Sequence, residues 1–152
     1  PKITHEDLLI YVMAGELLGA QAPTEVFSPL SGFDIQAQNA TQTRLPLHPE
    51  FEYGILPLTE EVEIEGIAVD MNTLLYLGCG RSELSIKLAG GARFILIGGE
   101  PFAEEILMWW NFVARNKQEI MNATNAWNDG QAAFGEVTGY EGKKRFQAPV
   151  MP

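Results

Sequence analysis

The stretch Ala92–Val113, ARFILIGGEPFAEEILMWWNFV, limits the folds open to this chain more than any other. An apolar run, Phe94-Ile95-Leu96-Ile97, meets Gly98-Gly99-Glu100-Pro101, and a second run, Ile106 to Val113, is dense in Trp and Phe. Runs of this composition bounded by Gly and Pro read as strands buried on at least one face. The Gly-Gly pair is expected to supply turn angles, and Pro101 to stop the ladder from continuing. Upstream of this stretch the chain reads as sheet. Downstream it reads as one helix and a tail.

The upstream half repeats the strand signal. Phe33, Ile35 and Ala37 alternate with Asp34 and Gln36, and Val62 and Ile64 alternate with Glu61, Glu63 and Glu65. Leu84, Ile86 and Leu88 alternate with Ser85 and Lys87. Tyr11-Val12-Met13 followed by Ala14-Gly15 reads as a strand with a bend. Phe51 to Leu58 reads as a strand that Pro57 either ends or confines to a sheet edge. Short alternating strands punctuated at intervals by turn residues define an all-β sandwich or barrel. The exception is Asn116 to Asn128. Asn116 is placed as an N-cap with Glu119 as its capping-box partner, and Gly130 as the stop. Ile120, Ala123, Thr124 and Trp127 make one apolar face, expected to pack on the sheet. The expected organisation is a lead-in or linker over residues 1–9, one domain over 10–135 that includes a helix at about 116–129, and a tail over 136–152.

Composition narrows the function. No stretch approaches the roughly 18 to 20 apolar residues of a membrane span, and no secretory leader is visible. With one cysteine, Cys79, no disulfide can form within the chain. A cytoplasmic setting is therefore expected. The formal net charge of −10 repels phosphate backbones and anionic lipid, so neither direct nucleic-acid contact nor membrane binding is expected. The basic cluster Lys143-Lys144-Arg145 is read as a solvated tail.

Candidate chemistry is sparse. The two histidines are His5, in the expected linker, and His48. If His48-Pro49-Glu50-Phe51-Glu52 is extended, His48, Glu50 and Glu52 share a face and are the candidate metal ligands. An acidic strand edge with an isolated His is the competing reading. Cys79, between Gly78 and Gly80, lies near Arg81 but has no histidine placed as its base, so it reads as a turn residue. Glu61, Glu63 and Glu65 read as a solvated face, and the glycine pairs as turns without the Gly-Lys-Ser/Thr of a phosphate loop. Trp109, Trp110 and Phe112 are assigned to core or interface packing, with a ligand-stacking role as the alternative. No catalytic or cofactor-binding residue is assigned.

Several of these segments together resemble one family. Phe94 to Pro101, Glu105-Ile106, Trp110-Asn111-Phe112-Val113 and Gln118-Glu119-Ile120 look like the C-terminal half of pirin-family proteins. Met13-Ala14-Gly15-Glu16 with Gly19, Ser28-Pro29, Phe33-Asp34-Ile35 and Phe134-Gly135 extend the likeness over nearly the whole chain. The resemblance implies a cupin-type jelly-roll barrel with one C-terminal helix, the second of two barrels. It also implies that iron sits on a His-rich motif of the first barrel. Quercetin 2,3-dioxygenase activity, or an iron-linked regulatory role, would then belong to the whole protein. On that basis this chain is expected to hold no metal or other cofactor and to pack on the preceding half or on copies of itself. The alternatives are a small stand-alone metallo-cupin enzyme using His48 with Glu50 or Glu52, and a metal-free barrel that binds a small molecule.

Overall fold

The computed structural model describes residues 1–142 and 145–151, so Lys143 and Lys144 of the basic cluster lie outside the described residues. The chain divides into two compact units, Pro1–Pro101 and Phe102–Pro152. In the first, β1 (Lys2–His5) and β2 (Leu8–Ala14) are followed by the short pair β3 (Glu16–Leu17) and β4 (Ala20–Gln21). Then come β5 (Leu30–Ala37), β6 (Thr41–Pro46), β7 (Glu52–Pro57), β8 (Val62–Ile64), β9 (Ile67–Val69), β10 (Leu75–Gly78), β11 (Glu83–Leu88) and β12 (Arg93–Gly99). A six-stranded sheet runs β1-β2-β5-β12-β7-β10, and a four-stranded sheet runs β6-β11-β8-β9.

Alternation decides which side of each strand goes inside. Ile10 and Val12, Ile35, Ile55, Phe94 and Leu96 from the larger sheet join Leu45, Ile64, Leu84 and Ile86 from the smaller in one buried cluster. Their outward neighbours remain at least partly exposed wherever they carry side chains. Pro57 ends β7 and does not mark an edge, because β7 lies between β12 and β10. The bend read after Tyr11-Val12-Met13 is a register shift between Val12 and Ala14.

Three expectations are corrected here. Residues 1–9 are not a lead-in: β1 pairs with β2 from Lys2 opposite Tyr11 to His5 opposite Leu8, and Leu8 is fully buried. Gly98 and Gly99 are not turn residues: both lie in β12, opposite Ser31 and Leu30 on one side and Tyr53 and Glu52 on the other. Ile106 to Val113 is not one strand but a hairpin, β13 (Leu107–Trp109) and β14 (Phe112–Ala114), which reverses where Trp110 takes φ +55°.

In the second unit this hairpin supports α1 (Lys117–Asn128) and a 3-10 turn, Ala132–Phe134. Asn116 caps the helix, its Oδ1 accepting from the Glu119 N–H at 2.9 Å. The Glu119 carboxylate accepts from the Arg115 N–H, one residue before the cap. At the other end Gly130, φ +70°, donates to the Trp127 carbonyl and Gln131 to that of Ala126, the paired bonds of a Schellman stop. The apolar face packs on the β13–β14 hairpin of its own unit: Ile120 is buried with Phe112 and Ala148, with Trp109, Ala123 and Trp127 against them. Part of the expected tail belongs to this small core. Ala148 exchanges hydrogen bonds with the Asn128 side chain, and Arg145 donates to the Trp127 carbonyl. Among the described residues no helix is long and apolar enough to cross a membrane.

Candidate functional site

One end of the barrel opens into a cavity of about 230 Å³. The β3–β4 pair supplies Glu16, Leu17 and Leu18 to its rim. Ser31 and Phe33 of β5, Pro46 and Leu47 at the end of β6, and His48 and Tyr53 complete the wall. Ser31 is buried, and with Glu16, His48 and Tyr53 it adds polar groups to the apolar wall of Leu17, Leu18, Phe33, Pro46 and Leu47.

Tyr53 organises this mouth. Its ring lies over Gly98, where an added Cβ would stand 2.4 Å from Cδ1 and 2.6 Å from Cε1. Gly98 is therefore the residue that admits the ring, a close approach inside a strand. The phenol reaches the loop before β7. It accepts from the His48 N–H at 2.9 Å and lies 3.3 Å from the His48 carbonyl, to which it donates. Burial pushes the Tyr53 phenol above its ordinary value of 10.0, against the His48 backbone bond, which lowers it.

The same loop carries the candidate ligands His48, Glu50 and Glu52. Pro49 cannot donate to a ladder, and the Phe51 N–H turns back to the His48 carbonyl at 3.0 Å. His48, Glu50 and Glu52 thus lie across a tight turn and not along one face of a strand. His48 rests against Phe51, ring centroids 5.1 Å apart, and Glu50 is exposed. Glu52 accepts from the Tyr76 hydroxyl at 2.8 Å. Among the described residues, no three or more His, Cys, Asp or Glu side chains are grouped so as to hold a metal ion. The turn does not set His48, Glu50 and Glu52 along one strand face, as the extended reading assumed.

The other sequence candidates of the first unit are not among the residues that line this mouth. His5 Nε2 lies 3.4 Å from the Arg44 carbonyl oxygen. Cys79 is exposed, while Arg81 reaches the Leu77 carbonyl and, at 3.8 Å, Glu65. Glu63 pairs with Lys87 at 2.9 Å, and Glu65 accepts from the Ser85 N–H at 2.7 Å, so these carboxylates tie strands together. Trp110 and Phe112 stack edge to face at 5.6 Å within the second unit, and Trp109 donates to the Pro149 carbonyl. Glu16, Ser31 and Tyr53 were not singled out as site residues by sequence. Only Glu16 carried a signal, as part of the Met13-Ala14-Gly15-Glu16 motif.

The two sheets closed over one core, with a cavity at one end, make a barrel of the cupin type. Residues 32–133 match the family described as the pirin C-terminal cupin domain. A Pseudomonas aeruginosa protein with a provisional quercetin 2,3-dioxygenase name is 44% identical over all of this chain, which covers 48% of that protein. A pirin-like protein of Solanum lycopersicum is 28% identical, over 88% of this chain and 47% of its own length. The crystal structure of a quercetin 2,3-dioxygenase from Acinetobacter baumannii superimposes with a TM-score of 0.89 at 39% identity, covering 100% of this chain and 50% of that one. The chain belongs to the pirin family, as its C-terminal cupin domain. It spans about half the length of the relatives it matches.

Proposed function

We propose that this chain is the second lobe of a two-lobed pirin-type protein and that it contributes packing, not the catalytic metal. The observation that carries this is the His48 turn: among the described residues one imidazole lines the mouth of the barrel, Glu52 is engaged by the Tyr76 hydroxyl, and Glu50 is exposed. The length of the relatives supports it, because each carries about as much chain again as this one. Iron, and the quercetin 2,3-dioxygenase chemistry that relatives are named for, would then reside in the preceding lobe. That lobe is the proposed partner, with self-association of this chain as the substitute when it is missing.

A metal-free binding barrel is the second reading, and the mouth gives it some support through Ser31 and Tyr53. Size weighs against a large ligand, since about 230 Å³ falls below the roughly 300 to 1,000 Å³ usual for drug-sized molecules. The deciding experiment is elemental analysis of this chain after incubation with iron, manganese, nickel or zinc and desalting. Retention well below one ion per chain, about 0.1 or less, is expected from the absence of a preformed ligand set. A full equivalent that disappears in His48→Ala would replace the packing role with that of a metalloenzyme.

A further inference from the structure

The cavity at the mouth has its origin in the strand register. On β12, Leu96 stands between Phe33 of β5 and Ile55 of β7, three large side chains that are all buried. At the next inward position along β12, Gly98 stands between Ser31 and Tyr53. Two of these three residues are small. The Tyr53 ring takes the space over Gly98, but no large side chain takes the space in front of Ser31, which lines the cavity. Barrel interiors are otherwise filled to crystal-like density, so the void is written into the choice of residue at position 31.

The void also carries one polar group with nothing to do. Ser31 is 4% exposed, and among the described residues no hydrogen bond engages its hydroxyl, which opens on the cavity. The other hydroxyl of the wall, that of Tyr53, is committed in both directions to the His48 backbone. Buried polar groups are kept when something satisfies them. A volume of about 230 Å³ is several times the roughly 30 Å³ that one water takes up, so there is room for a larger occupant. Chemistry limits what it can be. Leu17, Phe33 and Leu47 offer no counter-charge to an ion taken out of water. Glu16 at the rim repels anions besides. The Phe33 and Tyr53 rings suit a flat ring, which can lie offset or edge-on to them.

We infer that the mouth of this barrel binds a compact, uncharged ring compound bearing one hydroxyl, with that hydroxyl on Ser31 and the ring against Phe33 and Tyr53. This rests on the second reading above, the metal-free binding barrel, and leaves the packing role untouched.

Calorimetric titration of the natural protein that contains this chain, with phenol and with toluene as probes, tests the assignment. Phenol is expected to bind once per chain with a Kd of about 1 mM, ordinary for so few atoms. In Ser31→Ala the preference for phenol over toluene should fall about fivefold, the loss of one hydrogen bond. Ser31→Leu, which fills the void, should abolish binding of both, and benzoate should bind at least about tenfold more weakly than phenol. Should the leucine variant fail to fold, the alanine variant still reads the contact. An unchanged preference in Ser31→Ala, or benzoate binding as tightly as phenol, overturns the ligand class while the binding barrel stands. Phenol binding that survives in a folded Ser31→Leu protein overturns the site. Binding of neither probe overturns the inference and the binding barrel together.

Discussion

Gly98→Ala is expected to destabilise the barrel by about 3 kcal/mol, the upper part of the range for overpacking a well-filled core. The new Cβ would meet Tyr53 Cδ1 at 2.4 Å and the Glu52 carbonyl oxygen at 2.8 Å. The first contact is the body of a ring whose hydroxyl is tied to the loop before β7, and the second is backbone of the neighbouring strand. Neither can yield without breaking something else. If the ring swings away, the His48 N–H loses its acceptor. If β7 shifts, the Gly98–Tyr53 register with β12 is lost. Denaturant unfolding, with the midpoint falling at an unchanged slope, measures the loss. A cost under about 0.5 kcal/mol, ordinary for a surface change, would show that the ring is not held where the structure places it.

Tyr53→Phe separates the hydroxyl from the ring. The aromatic packing survives and the bonds to His48 go, so a cost of about 1 kcal/mol is expected, the usual net worth of one hydrogen bond beside solvent. The variant also changes the response to alkali. In the folded barrel burial holds the phenol above the ordinary 10.0, so through that window the native state keeps a proton that the unfolded chain has released. Stability is fully present below about 10, the unfolded value, and falls as pH rises from there through the folded value. Phenylalanine has nothing to release, so the gap between the two proteins should narrow above pH 10. A gap that stays constant from pH 8 to 11 would mean that the phenol is as exposed folded as unfolded.

This pair of residues also shows what the sequence could and could not reveal. Strand alternation is local, and Leu84, Ile86 and Leu88 are all buried as their spacing requires. The helix announced both of its ends through Asn116 and Gly130. A glycine pair has two physical meanings, a turn or a place where another group comes close. Choosing between them needs the identity of the neighbour. For Gly98 that neighbour is Tyr53 on β7, a partner no local window contains. Trp110 failed differently: a hairpin reversing at a tryptophan with positive φ lacks the glycine that usually marks such a site.

The mouth of the barrel was legible only in part. His48 was noticed because histidine is rare here, and it does line the cavity. Its proposed partnership with Glu50 and Glu52 assumed an extended segment, although Pro49 between them argues for the turn that is found. Glu16 and Ser31 come to the mouth through chain pairing across the sheet, and their residue types carry no chemical signal alone. The exposed apolar side chains of the larger sheet were harder to place. The outward positions of β12 and β10 were readable as Ile97 and Tyr76 only once the sheet order placed these strands on either side of β7.

We propose that this polypeptide is one lobe of a molecule whose metal chemistry lies in the other. Intact mass spectrometry of the protein isolated from its natural source reads that statement most directly. A mass about twice the 16.8 kDa of this chain is the expected result, matching relatives of which it covers 48% and 50%. A natural product of about 16.8 kDa would contradict it and return the barrel to a complete protein with a function of its own.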